Sequence, residues 1–300
     1  MSASPLFAAQ AMSDPLCRAF RSRARATWRL VRRGQRVGVR LAEDTLTNLL
    51  LVGLSAFNGP TYHIRAHSTK RESLTGTDWE MWFGNQGGPW LGVRIQAKAI
   101  DLSATNFPHL HYRGKGAPLF QCDTLIKDAL SQYPPVLPLY VLYTYVPTGI
   151  NRPWPCGSFR PDSEQYGCSL VSPFVVRSLR LAGTRDALAD LQPHLSPWHC
   201  LACCRNYGAG SLAQRALAYL NGTLIESDRR TRNLSPADPT ADSEGSLGTG
   251  DLEQLAGGYF EHRLWGAPPD YVAPILRGEP AELPDNLAAI VAIMEATRAV

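Results

Sequence analysis

The sequence predicts an α/β fold, and three observations lead to that prediction. Residues 76–83 and 90–98 are rich in aromatic and β-branched side chains, and residues 84–88 between them hold an asparagine and three glycines. This pattern is typical of two antiparallel strands joined by a tight turn. Two apolar stretches, 49–57 and 136–146, have the lengths of a core helix and a core strand. A chain of 300 residues, 44% of them hydrophobic, can bury a sizeable core around these elements.

Polar side chains interrupt the two predicted hairpin strands. Asp78 lies on the first strand, and Gln96, Ala97 and Lys98 form a tripeptide on the second. Because side chains alternate along a strand, Gln96 and Lys98 point to the same face. A carboxylate, an amide oxygen and a lysine on one surface can hold a divalent cation and orient a water molecule. Mg²⁺ held by one or two carboxylates and a substrate phosphate is common in phosphodiester chemistry.

The order Glu43, Asp78, Gln96-Ala97-Lys98 resembles the motifs of the PD-(D/E)XK nuclease superfamily, which has the restriction-endonuclease-like fold. The Mrr-like branch is the most similar subtype, because there a glutamine replaces the acidic residue of the third motif and a QAK tripeptide is typical. The resemblance implies an αβββαβ core with a mixed central sheet flanked by helices, and the rest of the chain is a C-terminal extension.

The resemblance covers roughly residues 40–146, about half of the chain. Glu43 falls in the opening turn of the first implied helix, and the predicted hairpin supplies the second and third strands. The C-terminal extension is expected to cover one edge of the sheet. The remaining core elements implied by the resemblance are a helix at 41–57, a strand at 62–67, a helix at 119–132 and a strand at 137–146.

The resemblance also implies a role for each motif residue. Asp78 is the principal ligand of a catalytic Mg²⁺ ion, for which Mn²⁺ can substitute, and the backbone carbonyl of Ala97 adds a second oxygen. Gln96 offers only a neutral oxygen, so Glu43 is the expected second carboxylate. Lys98 lies beside the attacking water, stabilises it as hydroxide and offsets negative charge in the transition state.

Several of these residues have a structural interpretation as well. Glu43 begins a helix, where acidic side chains are favoured by the helix dipole whatever their function. Gln96 and Lys98 can instead belong to a solvent-facing strip of their strand. Glu80 is either an extra metal ligand or a solvated partner for Arg94. The sequence leaves these alternatives open.

Nine arginines and no acidic residue fall between positions 18 and 40, although the net charge of the chain is only +4. Such a cluster predicts a surface that neutralises the phosphates of a nucleic acid. A solvated basic helix face is the alternative, because the chain uses arginine widely and contains only four lysines. The residues predicted to contact nucleic acid are Arg25, Arg29, Arg32, Arg33 and Gln121, of which the last opens the second helix.

Seven cysteines in a chain without a secretion signal argue against a disulfide framework. Cys200, Cys203 and Cys204 can supply ligands of a structural Zn²⁺ ion together with His199, but a second well-spaced ligand pair is missing. Buried free cysteines are the alternative interpretation. No apolar run is long enough to cross a bilayer, and no apolar stretch near the N-terminus suggests secretion. These features predict a cytoplasmic protein.

Changes in composition divide the chain into five segments. Within the last of them, residues 283–300 are predicted to form a helix, because Leu287, Ile290, Val291 and Met294 recur at spacings of three and four. The segments are an arginine-rich helical segment at 1–40, the core at 41–147, accessory strands and helices at 148–226, a flexible polar linker at 227–258 and a C-terminal helical segment at 259–300.

The sequence supports two functional hypotheses. The first is a metal-dependent endonuclease that hydrolyses DNA, with RNA as the alternative substrate, in restriction or defence against foreign DNA. Its expected partners are DNA, a second copy of the chain for cleavage of both strands, or another protein of a defence system. The second is a catalytically silent module of the same fold that binds nucleic acid or a protein partner, which the glutamine at position 96 makes credible. An unrelated α/β protein that matches by chance is a third interpretation.

Overall fold

The fold is built around one β-sheet whose arrangement is given by a computed structural model. In the part of the chain that the structure describes, no helix is both long and apolar enough to cross a membrane. The described residues are 14–57, 62–68, 79–133, 135–150, 159–203, 210–225, 246–248, 255, 264–285 and 287–296.

The sheet contains seven strands within the described residues. They are β1 (Tyr62–Ser68), β2 (Trp79–Asn85), β3 (Leu91–Ala99), β4 (Leu137–Tyr143), β5 (Cys168–Val171), β6 (Ser196–Pro197) and β7 (Ala289–Glu295). Their order across the sheet is β1-β7-β2-β3-β4-β5-β6. The pairs β2–β3 and β1–β7 are antiparallel, whereas β2–β7 and β3–β4 are parallel. The protein therefore has an α/β fold with a mixed central sheet, as predicted.

Helices flank this sheet on both faces. The order α2, β1, β2, β3, α3, β4 is the order predicted for the core, and each of these elements begins and ends close to its predicted bounds. The α-helices of the described residues are α1 (Pro15–Arg36), α2 (Glu43–Ser55), α3 (Gln121–Ser131), α4 (Pro173–Leu181), α5 (Leu188–Leu191), α6 (Cys200–Cys203), α7 (Leu212–Leu220) and α8 (Ala273–Arg277).

The prediction of a C-terminal helix over residues 283–300 is wrong, because residues 289–295 form β7. This strand lies between β1 and β2 and pairs with both, so β1 and β2 are not neighbours. Apolar spacings of three and four also occur in a strand that is buried on both faces, since such a strand is a continuous apolar run. Ile290, Val291 and Ile293 are fully buried, and their β-branched side chains fill the core on both faces.

Two apolar clusters pack against the sheet, and neighbouring residues of β2 point into different ones. Met81 of β2 belongs to the larger cluster, together with Phe20 of α1 and Leu50 of α2. Trp82 points the opposite way and belongs to a smaller cluster with Ala129 of α3. We call this second side the α3 face. By strand alternation and the register of β2 with β3, the polar residues on the α3 face are Glu80, Arg94, Gln96 and Lys98.

A disulfide joins Cys17 of α1 to Cys203 of α6, across a sequence separation of 186 residues. This bond was not predicted from the sequence, because the local spacing of the cysteines does not indicate a partner so far away in the chain. Cys203 is therefore occupied, and Cys200 is a buried thiol that takes no part in this disulfide. Cys204 lies outside the described residues, which hold no group of three His, Cys, Asp or Glu side chains able to bind a metal ion.

Candidate active site at the end of the third strand

The first turn of α2 is joined to the last residues of β3 by one carboxylate. Glu43 opens α2, and its Oε2 atom accepts a hydrogen bond from Lys98 Nζ at 3.3 Å. Its Oε1 atom accepts from the backbone N–H of Ala99, also at 3.3 Å. The helix therefore begins beside the strand end because a single side chain bridges two groups that are 55 and 56 residues away in sequence. The structure brings the Glu43 and Lys98 side chains together.

The tripeptide Gln96-Ala97-Lys98 lies inside the protein. Gln96 is 2% exposed and Lys98 is 4% exposed, so the solvent-facing strip considered above is wrong. Gln96 pairs in register with Tyr140 of β4, and its Nε2 atom donates to the Ala97 carbonyl at 3.2 Å. Both polar side chains point to the α3 face, where burial requires that each be held by specific contacts.

The Glu43–Lys98 ion pair is open to solvent on one side only. The Lys98 side chain is 5% exposed, whereas the Glu43 side chain is 22% exposed. The carboxylate therefore lies at the boundary between the buried end of β3 and the solvent. A carboxylate in this position is accessible to a cation or a water molecule that approaches from outside.

Asp78, the predicted principal ligand, lies outside the described residues, directly before Trp79 in the chain. Its placement therefore stays a prediction. The predicted metal ligands within the described residues are Glu43, Gln96 and the backbone carbonyl of Ala97. A carboxylate, an amide and a carbonyl are hard oxygen donors of the kind that Mg²⁺ prefers.

Glu80 is not an extra metal ligand, because a closed network occupies it. Glu80 Oε1 accepts from Arg94 Nε at 2.9 Å and from Arg94 Nη2 at 2.6 Å. Its Oε2 accepts from Trp82 Nε1 and from the Tyr271 hydroxyl, each at 2.9 Å. Arg94 also donates to the Gln132 side chain. The expected partnership with Arg94 is confirmed, but both side chains are 0% exposed rather than solvated.

The arginines of α1 are partly neutralised within the protein. Arg25 pairs with Asp162 at 2.8 Å, and Arg29 pairs with Glu164 at 2.8 Å. Both acids belong to the turn that precedes β5, so the two ion pairs hold α1 against this turn. Arg33 is exposed and Arg32 is half-buried, and both lie toward the end of the same helix.

Gln121 opens α3, and its backbone N–H donates to the Tyr112 carbonyl at 2.9 Å. Because β3 and β4 are parallel and α3 connects them, the helix runs back along the sheet from the end of β3. The contact between Arg94 and Gln132, at the far end of α3, agrees with this direction. Gln121 therefore lies at the same end of the sheet as Lys98.

One buried cluster has no counterpart in the predictions. Asp123 of α3 is 0% exposed and accepts hydrogen bonds from Arg177 Nε and Arg180 Nη2 of α4, each at 3.0 Å. The Leu247 N–H donates to Asp123 Oδ1 at 3.3 Å, and the Leu247 carbonyl accepts from Arg177. This part of the predicted linker is thus anchored to the core, while most of 227–258 lies outside the described residues. No local sequence signal relates these three segments.

These features define an α/β protein with a polar site at the end of the third strand of a mixed sheet. Residues 16–299 match DUF6615, which is described as a family of unknown function, so the chain belongs to this family. No curated protein matches the chain. No solved structure matches it either.

Proposed function

We propose that this protein is a metal-dependent endonuclease that hydrolyses DNA phosphodiester bonds in restriction or defence against foreign DNA. The observation that carries the proposal is the pairing of Glu43 with Lys98 at the end of β3. Two residues that a nuclease site requires together, and that are 55 positions apart, lie within 3.3 Å of each other. A chance match of short motifs would not be expected to bring these two side chains together.

The order of elements supports the same proposal. The succession of α2, three strands, α3 and β4 follows the αβββαβ order of the restriction-endonuclease-like fold. The chain departs from that pattern where β7 separates β1 from β2. This insertion lies on the side of β2 away from β3, so it leaves the β2–β3 pair and the parallel β3–β4 pair uninterrupted.

The donor set fits a divalent cation of the Mg²⁺ type. Glu43 and Asp78 would hold the ion, with the side-chain oxygen of Gln96 and the backbone oxygen of Ala97 as neutral donors. One or two carboxylates with further oxygen ligands and substrate phosphate are the usual protein contribution to such a site. When bound, the cation would neutralise phosphate charge and lower the pKa of a coordinated water.

Lys98 supplies the remaining chemistry from the protein side. Its ammonium group is buried, and Glu43 and the end of β3 restrict its position. An ammonium in this surrounding orients a water molecule and offsets the negative charge that develops on the phosphate. The carboxylate of Glu43 holds Lys98 in place and forms the solvent-exposed side of the ion pair.

A catalytically silent module that binds nucleic acid or a protein partner is the second candidate. The observation that favours it is the neutral Gln96 at a position where an acidic residue would strengthen cation binding. In the described residues, Glu43 is then the one carboxylate among the predicted ligands. The two candidate functions therefore differ in whether Asp78 supplies a second carboxylate to a bound cation.

The test is a cleavage assay with supercoiled plasmid, linear duplex and single-stranded DNA, in Mg²⁺, in Mn²⁺ and in chelator. Asp78→Asn and Lys98→Met keep side-chain size, and Lys127→Met is the matched control because Lys127 is exposed on α3. We expect metal-dependent cleavage that Asp78→Asn and Lys98→Met each reduce at least about 100-fold and that the control retains. Cleavage that survives in both site variants would refute the nuclease site. Binding without any cleavage would select the silent module.

A further inference from the structure

The loop between β3 and α3 is a second basic surface, built differently from α1. Residues 102–120 contain no acidic residue. Within the loop, His109 and Lys115 are exposed, and the Tyr112 side chain is 51% exposed. Arg113 lies between the tyrosine and the lysine. Tyr112 thus lies among the basic side chains of residues 109–115, and we call residues 109–117 the basic loop.

The basic loop is held in one shape from inside. Leu110 is 0% exposed and anchors the loop in the larger apolar cluster. The Nε2 atom of His111 contacts the Arg185 carbonyl at 2.8 Å. Arg113 Nε donates to the Ala117 carbonyl at 2.9 Å and its guanidinium lies over the Phe120 ring at 5.7 Å. These contacts leave the exposed side chains as the outward face of a preformed loop.

The topology of the sheet relates the basic loop to the candidate active site. The Tyr112 carbonyl accepts the first backbone N–H of α3, so the loop ends at the start of that helix. That start lies at the same end of the sheet as Lys98, because α3 runs back between two parallel strands. The basic loop therefore leads into a helix that starts at the same end of the sheet as the candidate site.

The charges of the basic loop and of α1 differ in their surroundings. Two of the predicted phosphate-binding residues of α1, Arg25 and Arg29, are paired with Asp162 and Glu164. Within the described residues, two acidic side chains near the basic loop belong to the neighbouring turn: Asp186, and Asp190, which lies 3.8 Å from Arg185. Lys115 of the basic loop is exposed.

We propose that the basic loop binds the unpaired bases and the backbone of a single-stranded nucleic acid. Tyr112 stacks on a base, and Lys115 and Arg113 contact the adjacent phosphates. An exposed aromatic ring stacks on a base whose face is free, which a paired duplex does not offer. This inference rests on the proposed function, since it names the part of the substrate that the nuclease holds next to its site.

The experiment measures binding separately from cleavage. Fluorescence anisotropy with labelled oligothymidylate and with a blunt duplex, both in chelator, reports binding when no cleavage occurs. Tyr112→Ala and Lys115→Ala are compared with Tyr133→Ala and Lys127→Ala. Tyr133 is 88% exposed beyond the opposite end of α3, so it controls for the loss of an exposed tyrosine.

We expect Tyr112→Ala to weaken binding of the single strand about tenfold and to leave duplex binding unchanged. Lys115→Ala should reduce the magnitude of the slope of log K for binding against log salt concentration by about 0.7. Both control variants should bind as the wild-type protein does. Unchanged binding in both loop variants, or an equal loss of binding in Tyr133→Ala, would overturn the inference.

The two proposals fail in different ways. If the wild-type protein cleaves DNA but the loop variants bind and cleave normally, the nuclease stands and the loop inference falls. If Tyr112→Ala weakens single-strand binding but no DNA is ever cleaved, the loop inference stands and the nuclease falls. If the wild-type protein neither binds nor cleaves, both are wrong.

Discussion

Two ion pairs involve side chains on the α3 face of β3, and they differ in burial and in hydrogen bonding. Arg94 pairs with Glu80, and both side chains are 0% exposed. Lys98 pairs with Glu43, and the carboxylate is 22% exposed. Glu80 receives hydrogen bonds from three different side chains at 2.9 Å or less, whereas each contact of Glu43 is 3.3 Å long.

The difference separates a structural pair from a pair suited to chemistry. A buried ion pair is stable only when hydrogen bonds satisfy its remaining donors and acceptors, which Trp82 and Tyr271 do for Glu80. Burial and the neighbouring Glu80 also raise the pKa of the Tyr271 hydroxyl, so it stays a donor. The Glu43–Lys98 pair is held more loosely and faces solvent. It can therefore exchange its partner for a cation or a water.

Removal of Arg94 should have the largest effect on stability. Arg94→Ala leaves Glu80 buried without its cation, and we expect the free energy of unfolding to fall by about 3–5 kcal/mol. Urea unfolding followed by circular dichroism measures the loss. Lys127→Ala, on the exposed side of α3, serves as the control. A loss below about 1 kcal/mol would show that the Glu80 network is not a structural element.

Double-mutant cycles should sharpen the comparison. We expect the coupling free energy between Glu80→Gln and Arg94→Met to be about 2 kcal/mol or more, because both partners are buried. For Glu43→Gln and Lys98→Met we expect less than about 1 kcal/mol. Thermal and urea unfolding of the single and double variants provide both values. Equal couplings would remove the distinction between the two pairs.

Lys98→Met should change stability little and activity strongly. Methionine keeps the apolar stem of the side chain, and Glu43 retains its contact with the Ala99 N–H and with solvent. We expect the free energy of unfolding to change by less than about 1 kcal/mol. The same preparation should lose the metal-dependent cleavage described above. If Lys98→Met destabilises the protein as strongly as Arg94→Ala, then Lys98 is a structural residue.

The surface ion pair between Arg25 and Asp162 should have the smallest effect on the stability of the fold. Burial alone would raise the pKa of Asp162, but the hydrogen bonds from Arg25 and from the Glu164 N–H outweigh it and hold that pKa below its ordinary value. A lowered carboxylate pKa stabilises the fold above the unfolded value of about 3.9, and this stabilisation is lost as the pH falls through the folded pKa.

We expect this pH-dependent contribution of Asp162 to be at most about 1 kcal/mol, because the pair is partly exposed. Thermal unfolding between pH 2 and pH 6 should show a shallower acid transition for Asp162→Asn than for the wild-type protein. A steeper transition in the variant would mean that the carboxylate is not stabilised by Arg25.

Much of the candidate site was predictable because its residues lie within regular elements. The alternation of β3 predicts that Gln96 and Lys98 share a face, and the start of α2 predicts an acid at Glu43. The family resemblance placed Glu43 and Lys98 in one site but did not predict that they pair, since neither strand nor helix periodicity relates residues so far apart. Burial of the tripeptide was not predictable, because α3 covers that face from a separate part of the chain.

The order of helices and strands from α2 to β4 was expected from the family resemblance. The sequence by itself determined the α/β class and the hairpin of β2 and β3. Local patterns suffice for these two because hydrophobic period and turn residues act over a few positions. Tertiary structure alone decided that β7 enters the sheet between β1 and β2 and that Tyr271 donates a hydrogen bond to the buried Glu80. It also decided that Cys17 forms a disulfide with Cys203 and that Arg25 pairs with Asp162. Each of these joins segments far apart in the chain. Their contacts depend on how the whole core packs and not on the residues beside them.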